Sequence, residues 1–344
     1  MTSRRLVHET LELNNKIERA PRQIWALPWA EIHYPGAVSA IENDFPGDFG
    51  GASTTYSDQG IAVGDPYKAG KSTDAWGCVF ENLIDGIHGE IKNPIIDPED
   101  SDWDDLSRVH IPYEWLSFDV DEVNSSYRAS DKFILCGACP RPFEQLQFLR
   151  GSENFFVDIM FKPKNMLSFI KKIHAFYCEL LEKWAKTEVD ALNFMDDWGA
   201  QFSLLINPRD WREIFKPLYR DYVDIAHSNN KKIFMHSDGH ILEIIPDIIE
   251  IGVDALNSQI FCMGTEKLAQ FKGKITFWGE MDRQHIMPFG SREDVRAAVR
   301  SVVDNLWMDG GCVAQCEFGA NTKPENVREL FAAWDEILLG GNRP

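Results

Sequence analysis

The sequence predicts an α/β fold in which parallel strands and helices alternate and close into a (β/α)8 barrel. From residue 130 onward, short apolar runs alternate with longer amphipathic segments, the pattern of a parallel sheet. The 344 residues also fit one barrel, a fold that commonly exceeds about 250 residues as a single unit. No GxGxxG loop follows an apolar run, which disfavours the alternative, a doubly wound open sheet. We therefore expect one domain over 1–344, with long loops within 31–130.

The first third of the chain supplies the opening helix and the long loops. An amphipathic helix is indicated by apolar residues that are interleaved with charges, namely Leu6, Leu11, Leu13 and Ile17. Turn-forming residues dominate 46–60 and 65–77, a composition typical of loops that carry function. This part of the chain has room for two strands.

Six apolar runs in the rest of the chain predict the other strands. They span residues 132–138, 189–197, 231–239, 253–259, 275–282 and 312–319. A segment with helical spacing follows each run. We expect one helix over 208–230, where Pro208 suits the first turn, and another after Ser291, which suits an N-cap.

Composition narrows the function classes. Lysine and arginine number 35 against 54 acidic residues, so the net charge of -19 repels nucleic acid. No stretch reaches the roughly 18 consecutive apolar residues of a membrane span, and the N-terminus lacks a secretory signal pattern. The 7 cysteines are scattered and odd in number, as expected in a reducing compartment. We expect a cytoplasmic protein, and the sequence leaves a homodimer open.

Most apolar runs end in a side chain that can titrate or bind a metal. The carboxyl ends of barrel strands carry the functional residues. In this chain those ends hold Asp196, Asp197, His236, Asp238, Asn257, Glu280, Cys316 and Glu317.

Four of these residues suggest a zinc site. His236 and Asp238 are two positions apart, so an extended strand points both side chains the same way. Cys316 is expected to face the barrel mouth, and Glu280 is the fourth candidate ligand. Histidine, carboxylate and thiolate are ligands that zinc accepts. The structural alternative remains open: a turn at Asp238, a core histidine, a buried cysteine and an ion-paired glutamate.

Several tryptophans lie near the predicted loops and could wall an aromatic pocket. They are Trp25, Trp29, Trp76 and Trp198. For each tryptophan taken alone, packing in the core is the favoured explanation.

Seven segments resemble the uroporphyrinogen decarboxylase superfamily, in the same order and over essentially the whole chain. They span residues 1–11, 20–32, 133–151, 196–220, 236–257, 277–299 and 316–330. The resemblance implies the barrel. The stretch ERAPRQIWALPWA lacks the arginine cluster with which the decarboxylase binds its polyanionic tetrapyrrole, so decarboxylation of uroporphyrinogen is not expected.

The resemblance points to the zinc-dependent, corrinoid-linked methyltransferases of the superfamily. His236 matches their zinc-binding histidine and Cys316 their later cysteine, whereas Asp238 stands where thiol-methylating members have cysteine. A carboxylate makes zinc harder and favours an oxygen ligand. This implies demethylation of an O-methylated substrate, an aromatic one included, with the methyl group passed to a corrinoid protein. The cobamide would come with that partner, because the chain has no DxHxxG loop.

The implied roles divide the candidate residues into three sets. Zinc would be held by His236, Asp238, Glu280 and Cys316. The catalytic set is Asp197, His236 and Glu280, with Asp197 as proton donor or substrate contact. Substrate contacts are expected from Trp198, Asn257 and Trp29. Open alternatives are a methylcobamide:thiol methyltransferase, a metal-free decarboxylase or lyase, a ligand-binding barrel without turnover, and a purely structural zinc.

Overall fold

The structure is a computed structural model that describes residues 1–16, 19–96 and 103–340. Ile17, expected in the opening helix, lies outside the described residues. In chain order the strands are β1 (Arg22–Ala26), β2 (Phe49–Gly51), β3 (Gly70–Thr73), β4 (Val79–Asn82), β5 (Glu90–Ile91), β6 (Phe133–Leu135), β7 (Ala191–Met195), β8 (Lys232–Ser237), β9 (Ala255–Ser258), β10 (Thr276–Phe277) and β11 (Ala314–Phe318).

Helices precede and follow these strands. They are α1 (Ser3–Leu11), α2 (Pro28–His33), α3 (Ala37–Asp44), α4 (Val120–Arg128), α5 (Pro142–Arg150), α6 (Ser152–Phe161), α7 (Lys164–Ala185), α8 (Pro208–Ile214), α9 (Lys216–Ser228), α10 (Ile245–Ile251), α11 (Ile260–Met263), α12 (Thr265–Leu268), α13 (Ile286–Phe289), α14 (Arg292–Leu306) and α15 (Pro324–Leu339). Single turns of 3-10 helix span Tyr113–Ser117 and Ala269–Phe271. No helix within the described ranges is both long enough and apolar enough to cross a membrane.

Eight of the strands form the predicted parallel barrel. β10, β9, β8, β7, β6 and β2 are neighbours in one sheet, and β1 pairs with β11. The two sheets join where the Asp48 N–H donates to the Arg22 carbonyl (2.9 Å) and where Phe277 bridges Cys312. All six predicted strands are confirmed, and β1 and β2 occupy the upstream part of the chain.

Alternation along the strands separates the barrel interior from the outer apolar layer. The interior is filled by a buried cluster made of Val7, Phe49, Phe133, Ala191, Phe234, Ala255, Trp278 and Val313. Residues that alternate with these pack outward against the helices. The barrel is therefore closed by side chains below its mouth, as in other folds of this type.

The expectation of one helix over 208–230 is wrong. α8 ends at Ile214, and α9 begins at Lys216 with Pro217 in its first turn. Proline has no N–H to donate to the carbonyl four residues earlier, so the first helix stops and a second begins. The other predicted helix is confirmed: Ser291 caps α14 and forms a capping box with Asp294.

The region 31–130, expected as loops, contains regular structure. After β2 leaves the barrel mouth, the chain forms the antiparallel sheet β3–β4–β5. It then returns through α4 to β6 at the opposite end of the barrel. We call the part of this excursion between residues 52 and 117 the mouth insertion, because it starts at the carboxyl end of β2.

Candidate functional site

Three side chains converge where β7 and β8 end. The Asp197 Oδ1 atom lies 3.4 Å from His236 Nε2, and Asp238 Oδ1 lies 3.6 Å from the same nitrogen. One ligand atom from each residue falls within 4.8 Å of the others. A single cation can therefore contact all three side chains.

Asn257, on the neighbouring strand β9, fixes the histidine ring. The Nδ1 atom of His236 lies 2.6 Å from Asn257 Oδ1. Asn257 Nδ2 donates to the Trp278 carbonyl and to Gln315 Oε1 (3.3 Å), which orients the amide oxygen toward the histidine. His236 Nδ1 is then a protonated nitrogen, and Nε2 faces the two carboxylates, where it can bind a metal once it has lost its own proton.

Asp238 divides its two oxygens between different partners. Oδ2 accepts a hydrogen bond from Arg283. Oδ1 is buried and has no hydrogen-bond partner, although it faces His236 Nε2. A buried carboxylate oxygen without a donor is costly, so this position suits a cation.

Two glycines allow the loops that carry these carboxylates to pack in direct backbone contact. The Gly199 N–H donates to the Asp238 carbonyl (3.0 Å), and the His240 N–H donates to the Ala200 carbonyl (2.8 Å). A Cβ atom at Gly239, which has φ +78°, would overlap the backbone of Gly199. The two loops pack backbone against backbone, which keeps Asp197 close to Asp238.

Three acidic side chains surround Arg283. Its guanidinium pairs with Asp238, with Glu317 (2.9 Å) and with Glu280 (3.3 Å). The carboxylate of Glu280 is buried, and neither oxygen makes a hydrogen bond of good geometry. Burial raises the pKa of Glu280 to about 8, although Arg283 acts in the opposite direction. Glu280 therefore carries a proton near neutral pH in the metal-free protein.

His236 and Asp197 form the complementary charged pair. Burial acts to lower the pKa of His236, but the carboxylates of Asp197 and Asp238 outweigh it and raise that pKa to about 9. Burial acts to raise the pKa of Asp197, and its contact with His236 lowers it overall. Without a metal, the centre holds an imidazolium between two carboxylates.

A cleft of about 240 Å³ lies next to the site, at the ends of β9 and β10, and shares Glu280 and Arg283 with it. Its lining residues come from the segments that follow β7, β9 and β10, and include Gln201, Gln259, Phe261, Cys262, Glu280 and Arg283. On the other side, Trp25 of β1 packs on His236, with ring centroids 5.4 Å apart. The half-buried centre thus has an indole as one wall, and its three side chains are partly exposed to solvent.

The model of the family "Uroporphyrinogen decarboxylase (URO-D)" matches residues 74–337. The chain belongs to this family. Its fold is similar to that of a methyltransferase from Methanosarcina mazei, with a TM-score of 0.67 at 14% identity over 98% of this chain and 99% of that one. A B12-independent methionine synthase from a Shewanella species is more distant, with a TM-score of 0.46 at 12% identity over 94% and 97%. No curated protein matches by sequence.

In this URO-D barrel, Cys316 does not join the candidate metal ligands. Val313 lies in the interior cluster, whereas Cys316 lies in the outer apolar layer, three positions along the same strand. Side chains alternate along a strand, so Gln315 and Glu317 face the centre while Cys316 points toward the helices. Burial raises the pKa of its thiol, which favours the neutral, unligated form. The expectation that Cys316 faces the mouth is wrong.

The expected substrate contacts are also placed differently in this URO-D chain. Trp198 is fully buried, and its ring stacks on Phe143 with centroids 3.8 Å apart, so it cannot contact substrate in this conformation. Trp29 is buried, with its ring stacked on His33 (4.0 Å). Asn257 is fully buried and contacts His236 rather than the cleft.

Asp196 and Asp197 are adjacent in the sequence, but their side chains have different surroundings. Asp196 is fully buried and accepts hydrogen bonds from the backbone N–H groups of Phe143 (3.0 Å) and Glu144 (2.7 Å) and from the Tyr219 hydroxyl (2.6 Å). It caps α5, whereas Asp197 faces His236. Sequence reasoning missed Arg283 and Gln315. The alternation that places Glu317 in the mouth would have identified Gln315, but no sequence signal identifies Arg283.

Proposed function

We propose that this chain is a metal-dependent methyltransferase that demethylates an O-methylated small molecule and passes the methyl group to a corrinoid protein. The convergence of His236 Nε2, Asp197 Oδ1 and Asp238 Oδ1 is the observation that carries the proposal. Membership of the URO-D family and the fold similarity to a methyltransferase agree with it.

The residues present fit a divalent metal. One imidazole nitrogen and two carboxylate oxygens are competent zinc ligands, and three protein ligands leave a position for substrate. The unpaired Oδ1 of Asp238 and the orientation of His236 by Asn257 support this assignment. Without Cys316 the donor set is harder than the one expected from the resemblance, which favours oxygen-containing ligands.

The chain's own residues supply orientation and a proton. When bound, zinc supplies Lewis-acid polarisation of an ether oxygen. The methyl carbon would form its new bond with the electron pair of Co(I) on the partner's corrinoid as its bond to oxygen breaks. The electron pair of the broken bond stays on oxygen, and that oxygen takes up a proton. Glu280 lines the cleft, and burial raises the pKa of its carboxyl group to about 8 in the metal-free chain, so it is the proton source that we favour. Asp197, whose pKa is lowered, serves as a ligand instead of the acid that the sequence suggested.

A partner would take the methyl group at the barrel mouth. Phe202 and Phe289, in the segments that follow β7 and β10, are 84% and 74% exposed. Exposed aromatic rings beside a site are common where another protein binds. This supports a cobamide brought by a separate protein.

Metal-free acid–base chemistry is the second candidate. Arg283 pairs with three acidic side chains, one of them Asp238, and His236 is held between Asp238 and Asp197. Much of the negative charge of these four acidic residues is therefore balanced without a metal. Such a centre could act as a decarboxylase or lyase with His236 and Glu280 as acids. This candidate predicts activity that chelators do not change.

Metal analysis separates the two candidates. Zinc, manganese and iron would be quantified per chain in wild type, His236→Ala and His174→Ala after saturation with zinc and desalting. His174 is the matched control because it belongs to another cluster, with Cys178 and Asp221 on α7 and α9. We expect about one zinc per chain in wild type and His174→Ala and none in His236→Ala. Absence of metal at His236 in wild type would refute the proposal.

Activity would then be assayed with a Co(I) corrinoid protein and a methyl ether. The proposal expects the methylated corrinoid only with metal-loaded wild type. Metal at His236 without methyl transfer to any acceptor would favour a purely structural zinc, provided that metal removal also unfolds the chain.

A further inference from the structure

A second cavity lies under the mouth insertion, beside the candidate metal centre. It has a volume of about 410 Å³, large enough for a small organic ligand. The floor is the segment that follows β6, and the back is α7. Six aromatic rings line it, those of Tyr56, Trp76, Phe80, Trp115, Phe148 and Trp184.

The rings are held in place by packing against one another and against Phe118. Trp184 stacks on Phe118 with centroids 4.3 Å apart, and Phe80 meets Phe148 edge to face at 5.2 Å. A Cβ atom at Gly137 would lie 2.7 Å from the Trp184 ring, so only glycine lets the indole approach the floor. The cavity is therefore a preformed slot with flat apolar walls.

The guanidinium of Arg141 places a positive charge at this slot. Its Nη1 donates to Glu144 (3.0 Å), and no other side-chain partner of the guanidinium is found among the described residues. The side chain is 37% exposed. Arg141 is the one lysine or arginine among the described residues that line the cavity. An arginine with free N–H groups beside aromatic walls is suited to a carboxylate on a ring.

Arg141 also lines a second space next to the slot. A neighbouring cleft of about 560 Å³ is lined by Arg141, Glu144, Phe80 and Phe148, so the two spaces share a wall. The Glu144 N–H donates to the side chain of Asp196 (2.7 Å), the residue that precedes Asp197. This wall of the slot therefore lies next to the segment that carries the candidate ligand Asp197.

We propose that this slot binds the planar ring of an aromatic carboxylate, with the carboxylate paired to Arg141. The reaction assigned to the ring depends on the proposed function, but the binding does not. A chain with net charge -19 and a mouth lined by acidic residues repels anions, so an acid is retained only where a cation offsets that repulsion. Asp74 also lines the slot, which disfavours a ligand with several anionic groups.

The experiment compares a ring acid with its neutral counterpart. Binding of 4-methoxybenzoate and of methoxybenzene would be measured by calorimetry and by quenching of tryptophan fluorescence. Wild type, Arg141→Gln, Arg141→Lys and the exposed control Arg209→Gln would be tested, each checked by circular dichroism. We expect wild type to bind the acid more tightly than the ether. Arg141→Gln should weaken the binding of the acid by about 10- to 100-fold and leave the binding of the ether unchanged.

Arg141→Lys keeps the charge but not the planar fork, so it should recover part of the affinity for the acid. Equal binding of acid and ether to wild type, or an Arg141→Gln variant that binds the acid normally, would overturn the inference. His236→Ala should bind the acid as wild type does. Binding to both proteins without methyl transfer would therefore refute the proposed function alone, and methyl transfer without Arg141 dependence would refute this inference alone.

Discussion

The Nδ1 atom of His236 lies 2.6 Å from the Oδ1 atom of Asn257, and this contact determines which ring nitrogen is available at the candidate metal centre. The amide of Asn257 is oriented in turn by the Trp278 carbonyl and by Gln315. A buried amide on β9 thereby controls a ligand on β8. Such supporting contacts tune the affinity of a site whose first ligands are unchanged.

Asn257→Ala should therefore weaken metal binding without removing a ligand. We expect a loss of about 10- to 100-fold in zinc affinity, because the imidazole is freed to rotate and to change tautomer. Competition with a chromogenic chelator would measure it. Asn229→Ala, an exposed asparagine on the helical surface, is the matched control and should keep wild-type affinity. Equal affinities for both variants would show that Asn257 does not position the histidine.

The neighbouring carboxylates Asp196 and Asp197 should respond in opposite ways to the same substitution. Asp196→Asn disrupts bonds to two backbone N–H groups and to the Tyr219 hydroxyl, so the free energy of unfolding should fall by about 1–3 kcal/mol. Asp197→Asn should leave stability nearly unchanged and lose most bound metal. Chemical denaturation and metal analysis on both variants test this, and a reversed result would mean that Asp196 is the ligand and Asp197 the structural carboxylate.

Cys316→Ala should keep its metal. Because the thiol lies in the apolar layer between barrel and helices, its removal should cost about 1 kcal/mol in folding stability and no zinc. Asp238→Asn should show the contrary pattern, with metal lost. Loss of zinc from Cys316→Ala at unchanged circular dichroism would restore the sequence-based ligand assignment.

Glu280 should make the metal-free protein less stable as pH rises. Glutamate has a pKa of 4.5 in its ordinary environment, and the pKa of Glu280 is about 8 in the folded chain, so the folded state keeps a proton that the unfolded chain has lost. The resulting stabilisation is complete below pH 4.5 and is lost as pH rises to 8. Relative to Glu280→Gln, wild type should lose about 2 kcal/mol between pH 6 and 8. Urea titrations of both chelated proteins would show a constant difference if Glu280 stays ionised.

The sequence was a good guide to strands and a poorer guide to the direction of side chains. Apolar runs located every predicted strand because burial on both faces requires continuous hydrophobic residues. The position of Cys316 at a strand end did not reveal its side, since one residue of shift reverses the face. The break between α8 and α9 does have a sequence signal, Pro217, which cannot donate a helical hydrogen bond. Arg283 could not be identified, because its three partners lie at the ends of three different strands, β8, β10 and β11.

The backbone contact between Gly199 and Gly239 offers a marker for finding other barrels with this centre. Because neither position tolerates a side chain, a D-W-G turn and an H-x-D-G turn should be inherited or lost together. Relatives that keep both glycines should retain the oxygen-rich donor set even when the mouth insertion differs in length. Among unannotated genome sequences, the presence of both turns would separate these relatives from barrels that have a cysteine at the position of Asp238. The distinction could be made before any protein is purified.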